Sequence, residues 1–259
     1  MKYFKNVYEG RYILWSLASK DLKNRYRRTA LGIMWSLLTP LGLVAIIGLV
    51  FSVVLDRPLK TFIPFLFSGL MPWLFIVAAA QGGTNAFISA QGYIKQTRTP
   101  VEIFPIRITL VEFANLLFSL IAFFIVYLIM SPENFNLTML LVIPVLMIWL
   151  VFGIALATIS AIINTYIRDY APLQSLILQG LFYATPIMWP PDILDEKNYS
   201  FVYKLNPIYY MMEIIRKPLL GEQLPHMSIW AAAITITLSL FITAVVIMSK
   251  VGRKITFKL

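Results

Sequence analysis

The chain has 259 residues, of which 59% are hydrophobic and 13% charged, and its net charge is +10. An average soluble domain has about 45–50% apolar and about 25% charged residues, so this composition predicts a single membrane-embedded domain over residues 1–259. With no Cys and one His, thiol chemistry is excluded and clustered metal ligands are disfavoured. The glycine-rich loop that binds ATP phosphates is also missing from the sequence.

The first 30 residues predict an amphipathic helix that lies along the cytoplasmic surface of the membrane. Tyr8, Tyr12 and Trp15 recur at helical spacing on one side, and a helix with aromatic residues on one face and cations on the other is typical of the headgroup region. A membrane anchor and a docking surface for a partner explain this pattern equally well. The cations near the end of this helix are Lys20, Lys23, Arg25, Arg27 and Arg28.

Six stretches are long enough to cross a bilayer, because a crossing helix needs about 20 apolar residues. In hydrocarbon the backbone must hydrogen-bond internally, so each stretch is predicted to be a helix. The predicted fold class is therefore all-α integral membrane, with six transmembrane helices. The predicted spans are residues 32–54, 62–87, 106–130, 138–163, 172–189 and 227–249.

The distribution of Lys and Arg predicts the orientation. Eight precede the first span, two lie between the second and third spans with Arg107 at the edge of the third, one lies between the fourth and fifth, and four follow the sixth, against six on the opposite side. Because cations accumulate on the cytoplasmic side, both termini are predicted to be cytoplasmic. Attraction to anionic inner-leaflet lipid then explains the net charge without a nucleic-acid partner.

The loop formed by residues 91–105, between the second and third spans, is short and basic. Its middle is predicted to form one or two helical turns between Gly92 and Pro105. Such a turn would move with both spans if a soluble partner pushed on it. A plain connector is the simpler alternative.

Glu112 lies well inside the third span, where a carboxylate costs about 2–3 kcal/mol unless it is paired or hydrated. Asn115 shares its helical face, and Gln81 and Asn85 lie at similar depth near the end of the second span. A proton relay would need a second deep titratable group, which the spans lack. We therefore favour a structural hydrogen-bond cluster over an ion-coupling site.

One face of the fifth span carries Gln179, Phe182 and Trp189, with Tyr183 beside them. Aromatic rings with amide and hydroxyl groups suit a sugar, whose C–H faces pack on the rings while its hydroxyls bond polar groups. This face is therefore a candidate substrate path, and ordinary packing within the bundle is the alternative.

Residues 190–226, on the external side, are too apolar for a solvated loop. Asn206 and Pro207 are typical of an N-cap followed by the first helical residue. We expect short helices that re-enter the outer leaflet, as a lid over an exit or as a packing spacer. The residues predicted to share one face of this helix are Ile208, Met211, Ile215 and Leu219.

Three segments together resemble the membrane subunits of ATP-binding-cassette exporters of O antigen, capsular polysaccharide and teichoic acid. They are KDLKNRYRRTALGIMWSLLTPL, KQTRTPVEIFPIRI and FYATPIMWPPDIL with LNPIYYMMEIIRKPLLG. The resemblance implies six transmembrane helices, an N-terminal interface helix and external re-entrant helices. It also implies a homodimer that binds two ATPase subunits at the cytoplasmic face of the inner membrane.

The resemblance further assigns roles to individual segments. It implies a coupling helix over residues 93–102 that contacts the ATPase through Tyr93, Lys95, Arg98 and Glu102. A minor contact would be made by Arg168 and Asp169. The interface helix would place Trp15 and the five cations near its end, Lys20 to Arg28, close to the diphosphate of a polyprenyl-linked glycan. The positive charge of Arg25, Arg27 and Arg28 by itself also suggests attraction to a diphosphate.

On this reading the chain is a transport subunit rather than an enzyme, and it carries no cofactor itself. ATP and Mg would be bound by the partner ATPase. The alternatives are a permease of the same class for drug or lipid efflux, a membrane enzyme acting on a lipid-linked sugar, and a carrier driven by an ion gradient.

Overall fold

The computed structural model describes residues 2–27, 31–97 and 99–258, and this part of the chain contains helices and turns but no strand. The helices are α1 (Lys2–Glu9), α2 (Arg11–Tyr26), α3 (Trp35–Val54), α4 (Leu59–Thr84), α5 (Gln91–Gln96), α6 (Ile103–Met130), α7 (Val142–Tyr166), α8 (Tyr170–Ala184), α9 (Asp192–Asp195), α10 (Phe201–Lys204), α11 (Pro207–Leu219) and α12 (Met227–Lys258). The predicted all-α class is thus confirmed for the described residues.

Five helical segments in the described residues are long and apolar enough to cross a membrane. They are Trp35–Val54, Leu59–Thr84, Ile103–Met130, Leu137–Tyr166 and Met227–Gly252. The remaining predicted span, residues 172–189 and the fifth in chain order, is shorter than expected. Its helix, α8, has 15 residues, which is about 22 Å of helix against a hydrocarbon thickness of about 30 Å.

Proline explains why α8 ends early. Thr185 precedes Pro186 and has extended backbone angles, φ −98° and ψ 135°. The ring of a proline disfavours helical angles in the residue before it, so the helix ends at Ala184 instead of continuing to Trp189.

The main core surrounds α4, which packs against α3, α6, α7, α8 and α11. Small residues allow α4 and α7 to approach closely, and a Cβ added to Gly83 would lie 2.6 Å from the Ala157 Cα. Nearby, the Asn164 side chain donates a hydrogen bond to the Thr84 carbonyl over 2.9 Å. This bond supplies a partner to a carbonyl at the end of α4.

A second core lies at the end of the bundle that carries both chain termini, called here the terminal core. It joins the two N-terminal helices and α5 to the ends of α6, α7 and α12. Its buried residues include Leu14, Leu17, Phe87, Ile94, Ile103, Phe104, Ile162, Met248 and Ile255.

At the opposite end, α11 forms as the sequence predicts. The Asn206 side chain accepts a hydrogen bond from the Ile208 N–H over 3.0 Å, and Pro207 is the first helical residue. The four residues predicted to share a face are all buried. Arg216 is buried as well, donating a hydrogen bond to the Pro186 carbonyl over 2.6 Å and lying 4.3 Å from the centre of the Phe65 ring.

The close approach of α4 and α7 yields a stability prediction. The Gly83→Ala change places a methyl group against backbone that cannot move aside, so it should lower the free energy of unfolding by about 1–3 kcal/mol. The measurement is loss of helical circular dichroism on heating the protein in detergent.

Gly42→Ala is the matched control, because a Cβ there meets nothing within 4 Å in this chain. It should leave stability unchanged or raise it by up to about 1 kcal/mol through helix propensity. Equal unfolding midpoints for the two variants would contradict the close approach.

Candidate functional site

Four neighbouring cavities extend from the exposed face of α2 into the bundle. The first, the cationic pocket, has a volume of about 450 Å³ and is lined by residues of α2 and by Arg27, which directly follows it. Three of the lining residues are cations that the sequence predicts to lie near lipid headgroups. The lining residues are Ser16, Ser19, Lys20, Lys23, Asn24 and Arg27.

The second cavity, the vestibule, lies between α2 and α6 and has a volume of about 250 Å³. It shares Asn24 with the cationic pocket. Its other lining residues are Asp21, Arg25, Ile108, Val111 and Glu112.

The third, the polar cavity, lies between α2, α3, α4 and α6 and has a volume of about 440 Å³. It shares Arg25 and Glu112 with the vestibule. The polar residues that line it are Arg25, Ser36, Thr39, Gln81, Glu112, Asn115 and Ser119.

The fourth, the aromatic groove, lies between α3, α4 and α8 and has a volume of about 400 Å³. Gln81 lines both this groove and the polar cavity, and its side chain donates a hydrogen bond to the Ser175 hydroxyl over 3.2 Å. Each of the four cavities therefore shares lining residues with the next.

The aromatic groove contains three of the four residues predicted to form a substrate path. Phe182 packs against Trp73 with ring centres 5.6 Å apart and against Tyr183 at 5.4 Å. Gln179 also lines the groove, whereas Trp189 lies outside it. The Trp189 indole instead donates a hydrogen bond to the Tyr183 carbonyl over 3.2 Å.

Two ion pairs join α2 to α6. Arg25 donates to the two carboxylate oxygens of Glu112 over 3.0 and 2.5 Å, and Asn115 donates to the same carboxylate over 3.0 Å. One turn earlier, Arg107 makes a two-pronged pair with Asp21. The signs are reversed between the pairs, so each helix contributes one cation and one anion.

The ion pairs modify the predicted polar cluster. Glu112 and Asn115 are bonded as their shared face suggests, and Gln81 lines the same cavity. Asn85 differs, because it is exposed just beyond the end of α4 and lines none of the four cavities. The main partner of Glu112 is Arg25, one of the cations that the sequence predicts to lie near lipid headgroups.

The predicted coupling helix over residues 93–102 is shorter in the structure. The helix α5 ends at Gln96, and Thr97 is extended with φ −125° and ψ 155°. Arg98 lies outside the described residues. Within α5, Tyr93 is 49% exposed and Lys95 is exposed, whereas Ile94 is buried in the terminal core.

Glu102 was predicted to contact the ATPase, but it is buried in this chain, with 6% of its surface exposed. Its carboxylate accepts a hydrogen bond from the Asn6 side chain over 2.7 Å, which ties α1 to the start of α6. Burial and the negative charge of Glu102 raise the pKa of the nearby Tyr3 to about 12.

The remaining predicted residues lie on the surface. Trp15 is 69% exposed, and Arg168 and Asp169 are exposed in the turn between α7 and α8. Arg28 lies outside the described residues. No group of three or more potential metal ligands occurs in the part of the chain that the structure describes.

Comparison with known proteins identifies the class. The family described as ABC-2 type transporter matches residues 12–220. The chain therefore belongs to the ABC-2 type transporter family and is a transporter membrane subunit.

Several curated proteins are similar over most of this chain. The O-antigen export system permease protein RfbA of Myxococcus xanthus is 30% identical over 223 residues, which are 85% of each chain. A protein of the same name from Klebsiella pneumoniae is 30% identical over 200 residues, 76% of this chain and 75% of the relative. The polysialic acid transport protein KpsM of Escherichia coli is 22% identical over 208 residues, 78% of this chain and 79% of the relative.

The burial of Ile94 generates a prediction about α5. The Ile94→Ala change should increase hydrogen–deuterium exchange of residues 91–96 at least tenfold, because removing a buried isoleucine side chain costs about 2–5 kcal/mol. Tyr93→Ala is the control, since truncating its exposed ring changes stability by about 0.5 kcal/mol or less. Equal exchange in the two variants would show that α5 is not held by the terminal core.

Proposed function

We propose that this chain is the permease subunit of an ATP-driven transporter that exports a lipid-linked polysaccharide across the cytoplasmic membrane. The row of cavities from the cationic pocket to the aromatic groove is the observation that carries the proposal. Its two ends match the two parts of such a substrate, because cations bind phosphates and aromatic rings pack on sugars. The names of the relatives, all of which refer to O-antigen export or polysialic acid transport, support the same substrate class.

In this proposal both termini are cytoplasmic and the chain is a multi-pass protein of the inner membrane. The fifth crossing is formed by α8 with the residues up to Trp189, and residues 190–226 lie in the outer leaflet as a lid. The count of cations at each end of the bundle supports this orientation.

A homodimer with two ATPase subunits is the proposed assembly. The aromatic groove is open along α3 and α8, where large apolar residues such as Leu43 and Ile177 are exposed. A second copy of the chain that covers this face would close the groove into a path. ATP and Mg are bound by the partner subunits.

Coupling follows from the terminal core. Tyr93 and Lys95 offer an exposed contact to the ATPase, with Arg98, Arg168 and Asp169 as further proposed contacts. Ile94, on the same helix, belongs to the terminal core, which also contains residues of α2, α6, α7 and α12. A push on α5 is therefore transmitted to the ends of four helices at once.

Lys20, Lys23 and Arg27 supply the attraction for the diphosphate. Arg25 contributes less to this attraction than its position in the sequence suggests, because Glu112 balances its charge. Trp15 and Arg28 lie on either side of these cations in the sequence and complete the proposed headgroup surface.

Deletion of the gene tests the function. The expected result is loss of glycan from the cell surface and accumulation of lipid-linked glycan inside the cell, both reversed by the gene on a plasmid. A tagged copy should also purify with an ATPase subunit in equal amount. Unchanged surface glycan together with greater drug sensitivity would instead indicate an efflux permease.

Replacing Lys20, Lys23 and Arg27 with Ala should reduce export at least tenfold while the amount of protein in the membrane stays constant. The matched control replaces Lys5, Lys250 and Lys254, three exposed cations at the same end of the bundle that line none of the four cavities. Equal losses in the two triple variants would show that net charge, rather than the cationic pocket, is responsible.

A further inference from the structure

The ion pair between Arg25 and Glu112 lies between the vestibule and the polar cavity, and both residues line both spaces. We propose that this pair is a gate for a diphosphate-bearing lipid headgroup, which opens the way into the polar cavity by replacing Glu112 as the partner of Arg25. The inference rests on the proposed function and identifies the point on the path where the ligand must displace a contact of the protein.

The chemistry of the polar cavity favours a hydrated headgroup over a hydrocarbon chain. Its lining combines an ion pair with hydroxyl and amide groups within helices that are otherwise apolar, including Thr39, Gln81 and Ser119. Gln81 and Ser119 already donate hydrogen bonds to Ser175 and to the Asn115 carbonyl, but an acyl chain in this space would keep water away from the ion pair, which is costly in the membrane. A phosphate with its attached sugar offers both acceptors and donors to the polar lining.

Arg25 is able to exchange partners. Its side chain is 42% exposed although it is paired, so a ligand in the vestibule can reach the guanidinium. The planar guanidinium binds phosphate in the same two-pronged way as carboxylate. A diphosphate also carries more negative charge than a single carboxylate, which favours the exchange.

Glu112 does not lose all its contacts when Arg25 moves. The Asn115 side chain still donates a hydrogen bond to its carboxylate, and the polar cavity itself can hold water. The exchange therefore replaces one charge-assisted contact with another, instead of leaving a charge alone in hydrocarbon.

The pair between Asp21 and Arg107 joins the same two helices beside the gate. Asp21 lines the vestibule, but neither residue lines the polar cavity. In the proposed opening this pair stays intact while the later part of α2 moves away from α6. The two pairs thus provide a test that separates a gate from a simple fastening of α2 to α6.

The absence of native Cys allows paired cysteines to be introduced without background. Arg25→Cys with Glu112→Cys, in the full chain assembled with its ATPase, is crosslinked with a short bis-methanethiosulfonate reagent and later reduced. Export of glycan should fall at least tenfold on crosslinking and recover on reduction. Crosslinking Asp21→Cys with Arg107→Cys should change export less than twofold, each variant being compared with itself before crosslinking.

Equal loss after both crosslinks would mean that α2 and α6 must separate altogether, and no loss after either would mean that the Arg25–Glu112 pair is a static fastening. Both results overturn the gate. If the gene deletion described above leaves surface glycan unchanged, the proposed function fails; if that deletion abolishes export but the gate crosslink is tolerated, only the gate fails.

A binding measurement on the assembled transporter covers the case in which the cysteine variants are inactive. Fluorescent polyprenyl diphosphate in phosphatidylethanolamine nanodiscs should bind at least threefold more tightly to Glu112→Gln, because the competing carboxylate is gone, and at least tenfold more weakly to Arg25→Met. Unchanged affinity in both variants overturns the proposal. The same measurement is repeated in phosphatidylglycerol nanodiscs. If Glu112→Gln and Arg25→Met then bind polyprenyl diphosphate with equal affinity, the proposal is also overturned, because the site would accept ordinary anionic lipid equally well.

Discussion

Hydrocarbon offers no hydrogen-bonding partner, and this constraint explains most of the specific contacts in the structure. Several polar side chains that enter the bundle are bonded by another segment of the chain. Glu112 is bonded by Arg25 from α2, and the Asn164 side chain bonds a carbonyl at the end of α4. Because the partners come from different helices, the few polar groups also determine which helices are held together.

The same constraint gives the two ends of the bundle different mechanical properties. At the terminal end, α2 is held by the apolar terminal core and by two ion pairs to α6, so it is joined to the bundle by contacts of two kinds. Apolar packing opposes any movement of α2 that would expose the buried side chains of the terminal core. An ion pair near the membrane surface is different, because one of its members can bind another polar ligand instead. A single helix can therefore remain attached while one of its contacts changes.

The sequence predicts the apolar helices and the cap of α11 well, since both depend on residues that are close together in the chain. It also contains the reason that α8 ends at Ala184, because Pro186 disfavours a helical Thr185, although apolar length alone suggested a longer span.

The sequence does not reveal which charges pair. Arg25 and Glu112 are 87 residues apart in the chain, and only packing brings them together. One signal was present in the sequence. On α2 an anion precedes a cation, and on α6 a cation precedes an anion, an order that allows two ion pairs between the helices. The burial of Glu102 could not be inferred in the same way, since it depends on where α1 packs.

Arg216 connects α11 to α4 and to the segment that follows α8. Its guanidinium bonds the Pro186 carbonyl and covers the Phe65 ring, and the neighbouring Gly69 has no side chain because a Cβ would lie 2.2 Å from the Arg216 Nη2. Displacing α11 from α4 would separate a buried cation from these neighbours, so α11 and the chain that follows α8 are constrained to shift together. Tyr183 lies three residues before Pro186, so the segment around Pro186 links the position of α11 to that of the aromatic rings at the end of α8.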